Sequence, residues 1–496
     1  MICVSIGRTR HKMMIMEHRA LAEKGAQLAE LRIDYLTRPP DFVRLLAERP
    51  TPCVVTCRRQ SDRGRWRGSE TQRQALLRAA IVAGAEYVDL EDDIASSIPR
   101  YGETKRIVSH HNFDETPDDV EQIHKRMCQK DPDIVKLVTM ANSLTDCVRL
   151  LKIVEGSQVP TIAFCMGELG MPSRVLCAKY GSPFTYASFS NERELAPGQI
   201  SFDEMMNVYR FDEINSKTKV YGVIGDPIAH TLGPLIHNAA FKSEKINSVY
   251  LPFRVGADQL QDTLDSFAWL DVKGCSVTIP HKVAVMSIAD RFDNAAEVIG
   301  ASNTLFQDGH GAWRAANTDL EAALASLKFG MDDSDFGDST LQGKRVLMLG
   351  AGGVARAIGF GMSRAGAALT ITNRTHDKAV KLAEQLGCQQ LQWENRGSMF
   401  CDILINCTPV GMHPDVDESP FPMHWLRDNI MVFDTIYHPE NTLLLKQARE
   451  RNCKTVSGVE MFVNQAAAQF ERFTGRAAPR DVMRDALRRG ISPVNV

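Results

Sequence analysis

No apolar run in this 496-residue chain is long enough to cross a bilayer, and the first, Ile2–Ile6, is broken by Gly7 and Arg8 before it could form a signal-peptide core. The 12 cysteines make no CxxC pair and no paired zinc-type spacing, which removes a disulfide framework and a structural metal site from the expected readings. Reduced thiols in a cytoplasmic compartment fit best. Charge of one sign is missing too: 58 Lys+Arg stand against 61 Asp+Glu, and no clustered basic footprint for nucleic acid appears. No internal repeat or low-complexity tract competes for the reading. The partners left are small molecules, with no nucleic acid, membrane or metal expected. The oligomeric state is not legible in the sequence.

What is present is enough apolar content, 44%, to build two or three cores, and the length calls for several domains. Eight short apolar or β-branched runs recur at Ile2–Ile6, Leu28–Ile33, Cys53–Cys57, Tyr87–Leu90, Arg106–Ser109, Ile134–Val138, Thr161–Cys165 and Thr185–Phe189. Helical patterns follow most of them, including Thr71–Ala83 and a segment opening on Thr116-Pro117 and running to Met127. Eightfold strand–helix alternation predicts a (β/α)8 barrel, whose chemistry sits at the C-terminal strand ends. Ser5, Glu30, Arg32, Arg58, Glu91, His111 and Lys136 all fall within or just past predicted strands.

Lys136 interrupts the apolar strand Asp133–Val138. Burial disfavours an ammonium ion, and a lysine of lowered pKa attacks ketones to form a Schiff base that serves as an electron sink. A lysine snorkelling at a strand end has the same local sequence. His111, ending the preceding strand in Ser109-His110-His111-Asn112-Phe113, weighs against that reading because an imidazole beside such an amine can move protons near neutrality. Glu91 is expected to orient and charge-balance His111. His110 reads as structural.

These motifs, with Glu30-Leu31-Arg32-Ile33-Asp34, Thr56-Cys57-Arg58, Val88-Asp89-Leu90-Glu91, Ser173-Arg174 and Ala196-Pro197-Gly198-Gln199, resemble type I 3-dehydroquinate dehydratase over Met1–Tyr209. The resemblance implies that Lys136 forms the imine with the C3 ketone of dehydroquinate, that His111 shuttles protons as water leaves, and that Arg174 grips the substrate carboxylate. It assigns Glu30, Arg32, Arg58, Ser5 and Gln199 to substrate hydroxyls or to the frame of the site. Leu195 stands where many members carry a serine on the closing loop.

A second pattern restarts at Val220–Gly225 after a seam at Phe211–Lys219, and a linker-like stretch spans Gly330–Gly343. The strand Arg345–Leu349 then leads into Gly350-Ala351-Gly352-Gly353 and a helix over Val354–Arg364, the local pattern of a dinucleotide-binding turn. The next strand, Ala368–Thr372, ends in Asn373-Arg374-Thr375 where an NAD site would place a carboxylate. Arg374 can pair with a 2′-phosphate, so NADP(H) is expected over NAD. Upstream, Val277-Thr278-Ile279-Pro280-His281-Lys282, Ala301-Ser302-Asn303-Thr304 and Asn317-Thr318-Asp319 supply a lysine and an aspartate that could handle a proton during hydride transfer, or form a surface salt bridge.

This half resembles shikimate dehydrogenase from about Lys219 onward, also through Asn406–Met412, Asp434–Pro439 and Gly458–Ala466. The resemblance implies Lys282 and Asp319 as the catalytic pair, with Asn303, Thr278, Tyr437 and Gln465 binding substrate. Gly350, Ala351, Gly352, Gly353, Asn373, Arg374, Thr375, Thr408 and Met461 would line the NADP site. Family members commonly read His-Ser-x-Ser-Pro where this chain has His230-Thr231-Leu232-Gly233-Pro234. Thr231 keeps one carboxylate-binding hydroxyl and Gly233 lacks the other, which predicts weaker shikimate affinity, by about 1.5–3 kcal/mol, and leaves quinate open as a substrate.

The expected fold is α/β: a TIM barrel followed by a two-lobed region with a Rossmann NADP domain. The expected division is 1–212 for the dehydratase, 213–218 for the linker, 219–317 plus 464–496 for the substrate lobe, and 318–463 for the NADP lobe. The expected function is conversion of 3-dehydroquinate to 3-dehydroshikimate, then reduction to shikimate with NADPH. A dehydratase fused to a quinate or quinate/shikimate dehydrogenase, and a non-catalytic ligand sensor, are the alternatives.

Overall fold

The computed structural model describes residues 1–229, 231–330 and 341–492, so His230 and most of the linker-like stretch Gly330–Gly343 lie outside the described residues. The chain packs as two compact units, Met1–Ala229 with Asn247–Val272, and His230–Ile246 with Lys273–Val496.

In the first unit, β1 (Ile2–Ile6), β2 (Leu28–Arg32), β3 (Cys53–Thr56), β4 (Tyr87–Glu91), β5 (Lys105–His111), β6 (Ile134–Met140), β7 (Thr161–Met166) and β8 (Thr185–Ser188) form one sheet. Its order, β7-β6-β5-β4-β3-β2-β1-β8, with every described pairing parallel, is a nearly closed barrel. Register does the positioning. Ser5 lies opposite Glu30, while Glu91, Ser109 and Lys136 occupy one row across β4, β5 and β6.

The helix expected over Thr71–Ala83 spans Glu70–Val82, started by a capping box between Ser69 and Gln72. The helix expected to open at Thr116 begins instead at Val120. The Thr116 hydroxyl bonds to Thr139 (2.6 Å) and to the Met140 carbonyl (3.0 Å), which ties that segment to β6 before the helix can form.

The seam is tied down near its C-terminal end. Lys179 Nζ donates to the carbonyls of Ser216 (3.2 Å) and Thr218 (2.8 Å), and Thr218 Oγ1 donates to Asn247 (2.7 Å). Beyond it, β9 (Lys219–Gly225) and β10 (Ser248–Arg254) pair in parallel, and helix Leu260–Leu270 brings Trp269 onto Tyr180 with ring centroids 4.5 Å apart.

The second unit contains an antiparallel set, β11 (Val272–Val277), β13 (Thr304–Gln307) and β14 (Trp313–Ala316), with β12 (Arg291–Phe292) parallel to β14. It continues with β15 (Arg345–Leu349), β16 (Ala368–Thr372), β17 (Gln389–Leu391), β18 (Ile403–Asn406), β19 (Met431–Asp434) and β20 (Lys454–Val456). These six parallel strands lie in the order β17-β16-β15-β18-β19-β20, the doubly wound arrangement that places a crevice between β15 and β18.

Candidate active sites

The first site grows from the carboxyl ends of the barrel strands. A cavity of about 570 Å³, counted out to its open mouth, is lined by Ser5, Glu30, Arg32, Arg58, His111, Lys136, Arg174 and Gln199, so eight residues expected from the motifs converge there. Lys136 is buried, with Nζ 3.2 Å from Asp89 and 3.7 Å from Glu30, and it lies 3.8 Å from the ring centre of Tyr186. Glu30 is fixed by the hydroxyls of Ser5 (2.6 Å) and Thr56 (2.8 Å).

Glu91 departs from expectation. Its carboxylate accepts from Arg58 Nη1 (2.8 Å) and Arg73 Nη1 (2.6 Å), and it does not line the cavity. Each of its oxygens is engaged by a guanidinium group, so it braces Arg58, and no described hydrogen bond joins it to His111. Asp89, two residues earlier on the same face of β4, binds Lys136, Arg58 (2.8 Å) and Ser109 (2.6 Å). Burial alone would raise its pKa, but the charges of Arg58 and Lys136 outweigh burial and hold it below the usual carboxylate range. His111 stacks on Phe113, and burial, with Arg58 and Lys136 beside it, pushes its pKa well below the ordinary value.

Of the remaining expected residues, Arg32 is held bidentately by Asp34 (2.9 and 2.8 Å), and Gln199 accepts from the Leu195 backbone (2.9 Å). Arg174 donates to the Pro197 carbonyl (3.3 Å), has no hydrogen-bond partner at Nε, and is lowered to about 10 by burial. A buried guanidinium with spare donors suits a ligand carboxylate. Asp62, Arg63 and Tyr186 also line the cavity and were not singled out from sequence. No motif marks the first two, which sit on the turn after β3.

In the second unit, Lys282 Nζ donates to Asp319 (2.7 Å), whose other oxygen accepts from Asn303 Nδ2 (2.8 Å). Asp319 is almost enclosed while Lys282 is about a fifth exposed, with side-chain exposures of 3% and 22%, so the pair is largely buried and is not a surface salt bridge. Asn303 also reaches Thr318 (3.0 Å) and Gln465 (3.4 Å), and Gln469 donates to the Asn303 carbonyl (3.1 Å). Thr318 lies within the Asn317-Thr318-Asp319 motif but carried no assigned role, and Gln469 is a support outside the quoted motifs. Thr278, Thr231 and Tyr437 make no described hydrogen bond to this cluster. Thr231 accepts from the Gly233 backbone (3.3 Å), and Tyr437 packs on Phe462.

At the glycine turn, Gly350 has φ +111°, and a Cβ there would lie 2.8 Å from the Cys407 carbonyl oxygen. Gly352 and Gly353 face open space at the start of the helix Gly353–Arg364, whose first backbone N–H groups have no side-chain cap. That is the surface a pyrophosphate needs. Ala351 packs beside the Rossmann core. Asn373 Nδ2 donates to the Thr375 carbonyl (2.8 Å), Thr375 precedes the helix His376–Leu386, and Arg374 is exposed after β16. Thr408 bonds to Asn406 through both its backbone N–H (2.9 Å) and its hydroxyl (2.7 Å). Met461 is buried in the apolar core with Val346 and Phe433.

Four family models match in chain order: type I 3-dehydroquinase over residues 2–216, the shikimate dehydrogenase substrate binding domain over 223–305, shikimate/quinate 5-dehydrogenase over 333–410, and the shikimate 5′-dehydrogenase C-terminal domain over 458–488. The chain is 36% identical to the chloroplastic bifunctional 3-dehydroquinate dehydratase/shikimate dehydrogenase of Arabidopsis thaliana, across 97% of this chain and 83% of that protein. It is 40% identical to the NADP(+) shikimate dehydrogenase of Methanothermobacter thermautotrophicus, across 56% of this chain and 99% of that one. Among solved structures, a shikimate dehydrogenase in complex with NADP+ is similar at TM-score 0.52 and 36% identity, covering 56% of this chain and 98% of that one.

Proposed function

Because the chain belongs to the family of bifunctional 3-dehydroquinate dehydratase/shikimate dehydrogenases, we propose that the two side-chain clusters described above are its two active sites. The chain dehydrates 3-dehydroquinate to 3-dehydroshikimate and reduces the product to shikimate with NADPH. The observation that carries the site reading is that each motif lysine, Lys136 and Lys282, is held against a buried carboxylate in a wall of polar residues.

In the barrel, the Lys136 amine attacks the ketone carbon and water departs to leave an imine. His111, kept neutral by its surroundings, takes the adjacent proton while the imine accepts the electrons, and returns the proton to the leaving hydroxyl. Arg174 receives the carboxylate. Ser5, Glu30, Arg32, Arg58 and Gln199 face the ring, with Asp89 and Glu91 as braces behind them. Hydrolysis of the product imine regenerates the amine.

In the second unit, NADPH supplies the hydride. Lys282 delivers the proton to the carbonyl oxygen, and Asp319 with Asn303 holds that lysine in place. Gln465, Thr278 and Tyr437 are assigned to the substrate. Gly350, Ala351, Gly352 and Gly353 are assigned to the pyrophosphate, Asn373, Arg374 and Thr375 to the 2′-phosphorylated ribose, and Thr408 and Met461 to the rest of the cofactor. The functional division is 1–212, 213–218, 219–317 with 464–496, and 318–463. A reducing, cytoplasmic setting suits the 12 free cysteines, while the Arabidopsis relative is chloroplastic by name. Among the described residues no helix is long and apolar enough to cross a membrane.

Trapping tests the first site. Borohydride with dehydroquinate should add mass at Lys136, and a protein of unchanged mass would remove the imine from the mechanism. Shikimate should drive NADP reduction, and Lys282→Ala or Asp319→Ala should abolish it while dehydratase turnover continues. A second substrate is favoured by Gly233, which is buried at the start of the helix Gly233–Ser243 without a hydroxyl. Quinate turnover below detection, beside active shikimate turnover, would remove that substrate.

A further inference from the structure

Seven non-glycine residues among those described hold a left-handed backbone, and Arg63 is the one of them that lines the barrel cavity. Its φ of 54° follows a 3-10 turn at Gln60–Asp62. The turn closes tightly: Gly64 N donates to the Arg59 carbonyl (2.8 Å) and Trp66 N to the Arg58 carbonyl (3.2 Å). A Cβ on Gly64 would sit 2.0 Å from the Arg58 oxygen, so the chain has no slack to relieve Arg63. Glycine would adopt this backbone without penalty, whereas a side chain there is strained.

None of the turn's described hydrogen bonds uses the guanidinium. Arg63 has one loose charge partner, Asp114 at 3.8 Å, with the two side chains 53% and 92% exposed. It lies 4.6 Å over the Phe113 ring, whose other neighbour in the stack is His111. The other cations at this wall are committed. Arg32 is taken by Asp34, Arg58 by Asp89 and Glu91, and Lys136 by Asp89 and Glu30. Arg174 lines the cavity as a buried cation, and Arg63 lines it as an exposed one, one ring removed from His111 across Phe113.

The geometry points to Arg63 as a second recognition cation for the anionic substrate. It draws the carboxylate-bearing ring acid to the mouth and holds it on the His111 side while Arg174 receives it inside. It contributes to capture and to KM, and takes no part in bond breaking. This inference rests on the reading of the cavity as the dehydratase site.

The test uses the full chain with R63G, which suits the backbone, and R63Q, which keeps the side-chain length without charge. Dehydroquinate kcat and KM are measured at low and high salt, with shikimate-driven NADP reduction as the control for folding. Both variants should raise KM by about fivefold or more, leave kcat within about twofold, and flatten the salt dependence of kcat/KM. R63G should melt no lower than the parent. Unchanged KM and salt dependence in both variants, or a fall in kcat at constant KM, would overturn the inference. If R63G loses both activities, R63Q decides by the same criteria. Failure of the parent chain to turn over dehydroquinate would instead overturn the reading of the cavity and leave Arg63 without that role.

Discussion

In the proposed mechanism His111 moves the proton in the barrel, and its environment decides in which pH range it can do so. Burial, then the positive charges of Arg58 and Lys136, lower its pKa below 6.5, so the neutral base form persists as pH falls through that value. The acidic limb of the dehydratase kcat/KM profile should therefore lie below pH 6.5, and a limb at or above 6.5 would contradict the assignment. Asp89 is the other decisive residue. Replacing it with Asn leaves Arg58 and Lys136 buried with one fewer countercharge, a change that costs about 3–5 kcal/mol when a buried pair is broken. Asp89→Asn should lower the unfolding midpoint of the barrel and abolish dehydratase turnover, and wild-type values for both would refute its role. The sequence could name the Asp-Leu-Glu run but not choose between its two carboxylates. Both alternate onto one face of β4, and the choice turns on Arg73, which comes from a helix eighteen positions back to claim Glu91.

At the level of elements, strands were legible because parallel strands buried on both faces read as short apolar runs. All eight barrel runs lie within two residues of the observed strands, and Arg345–Leu349 and Ala368–Thr372 coincide with β15 and β16. Turns were less legible. The Thr116-Pro117 start failed because a tertiary partner, Thr139, took the hydroxyl that capping required. The turn at Gln60–Arg63 carried no pattern at all, since its shape depends on close approach to Arg58. The glycine turn after β15 could be read because its backbone demands are local. Gly350→Ala places a methyl against the Cys407 carbonyl in a left-handed conformation, so it should reduce NADP affinity at least about tenfold while leaving dehydratase turnover intact. Titration of NADP into the variant, read by fluorescence, checks this, and parental affinity would show that the turn yields without cost.

For the whole molecule, buried histidines set the acid limit. Burial lowers His18 to about 4 and His237 to about 3, and it also lowers His111 and His124. Each is neutral when folded and takes a proton when unfolded below pH 6.5, so stability is complete above 6.5 and is lost as pH falls from there toward 4. Each contributes a slope of up to about 1.4 kcal/mol per pH unit. Asp434, raised to about 6 by burial, acts in the opposite sense below that pH and offsets one of them. Thermal midpoints should fall between pH 6.5 and 5, and His18→Gln should make that fall shallower. A midpoint that is level or rising over this range would contradict the balance.

The seam has a consequence for anyone exchanging parts between fused enzymes of this kind. Lys179 of the barrel carries the Ser216 and Thr218 carbonyls, Tyr180 stacks on Trp269, and Arg254 meets Glu168 and Asp226 at 3.0 Å each. A graft joined at residue 218 would set a foreign barrel face against Asn247–Val272, a segment that packs as part of the barrel's own unit. The heritable module is thus discontinuous in the gene, and a working chimera has to inherit both pieces from one parent.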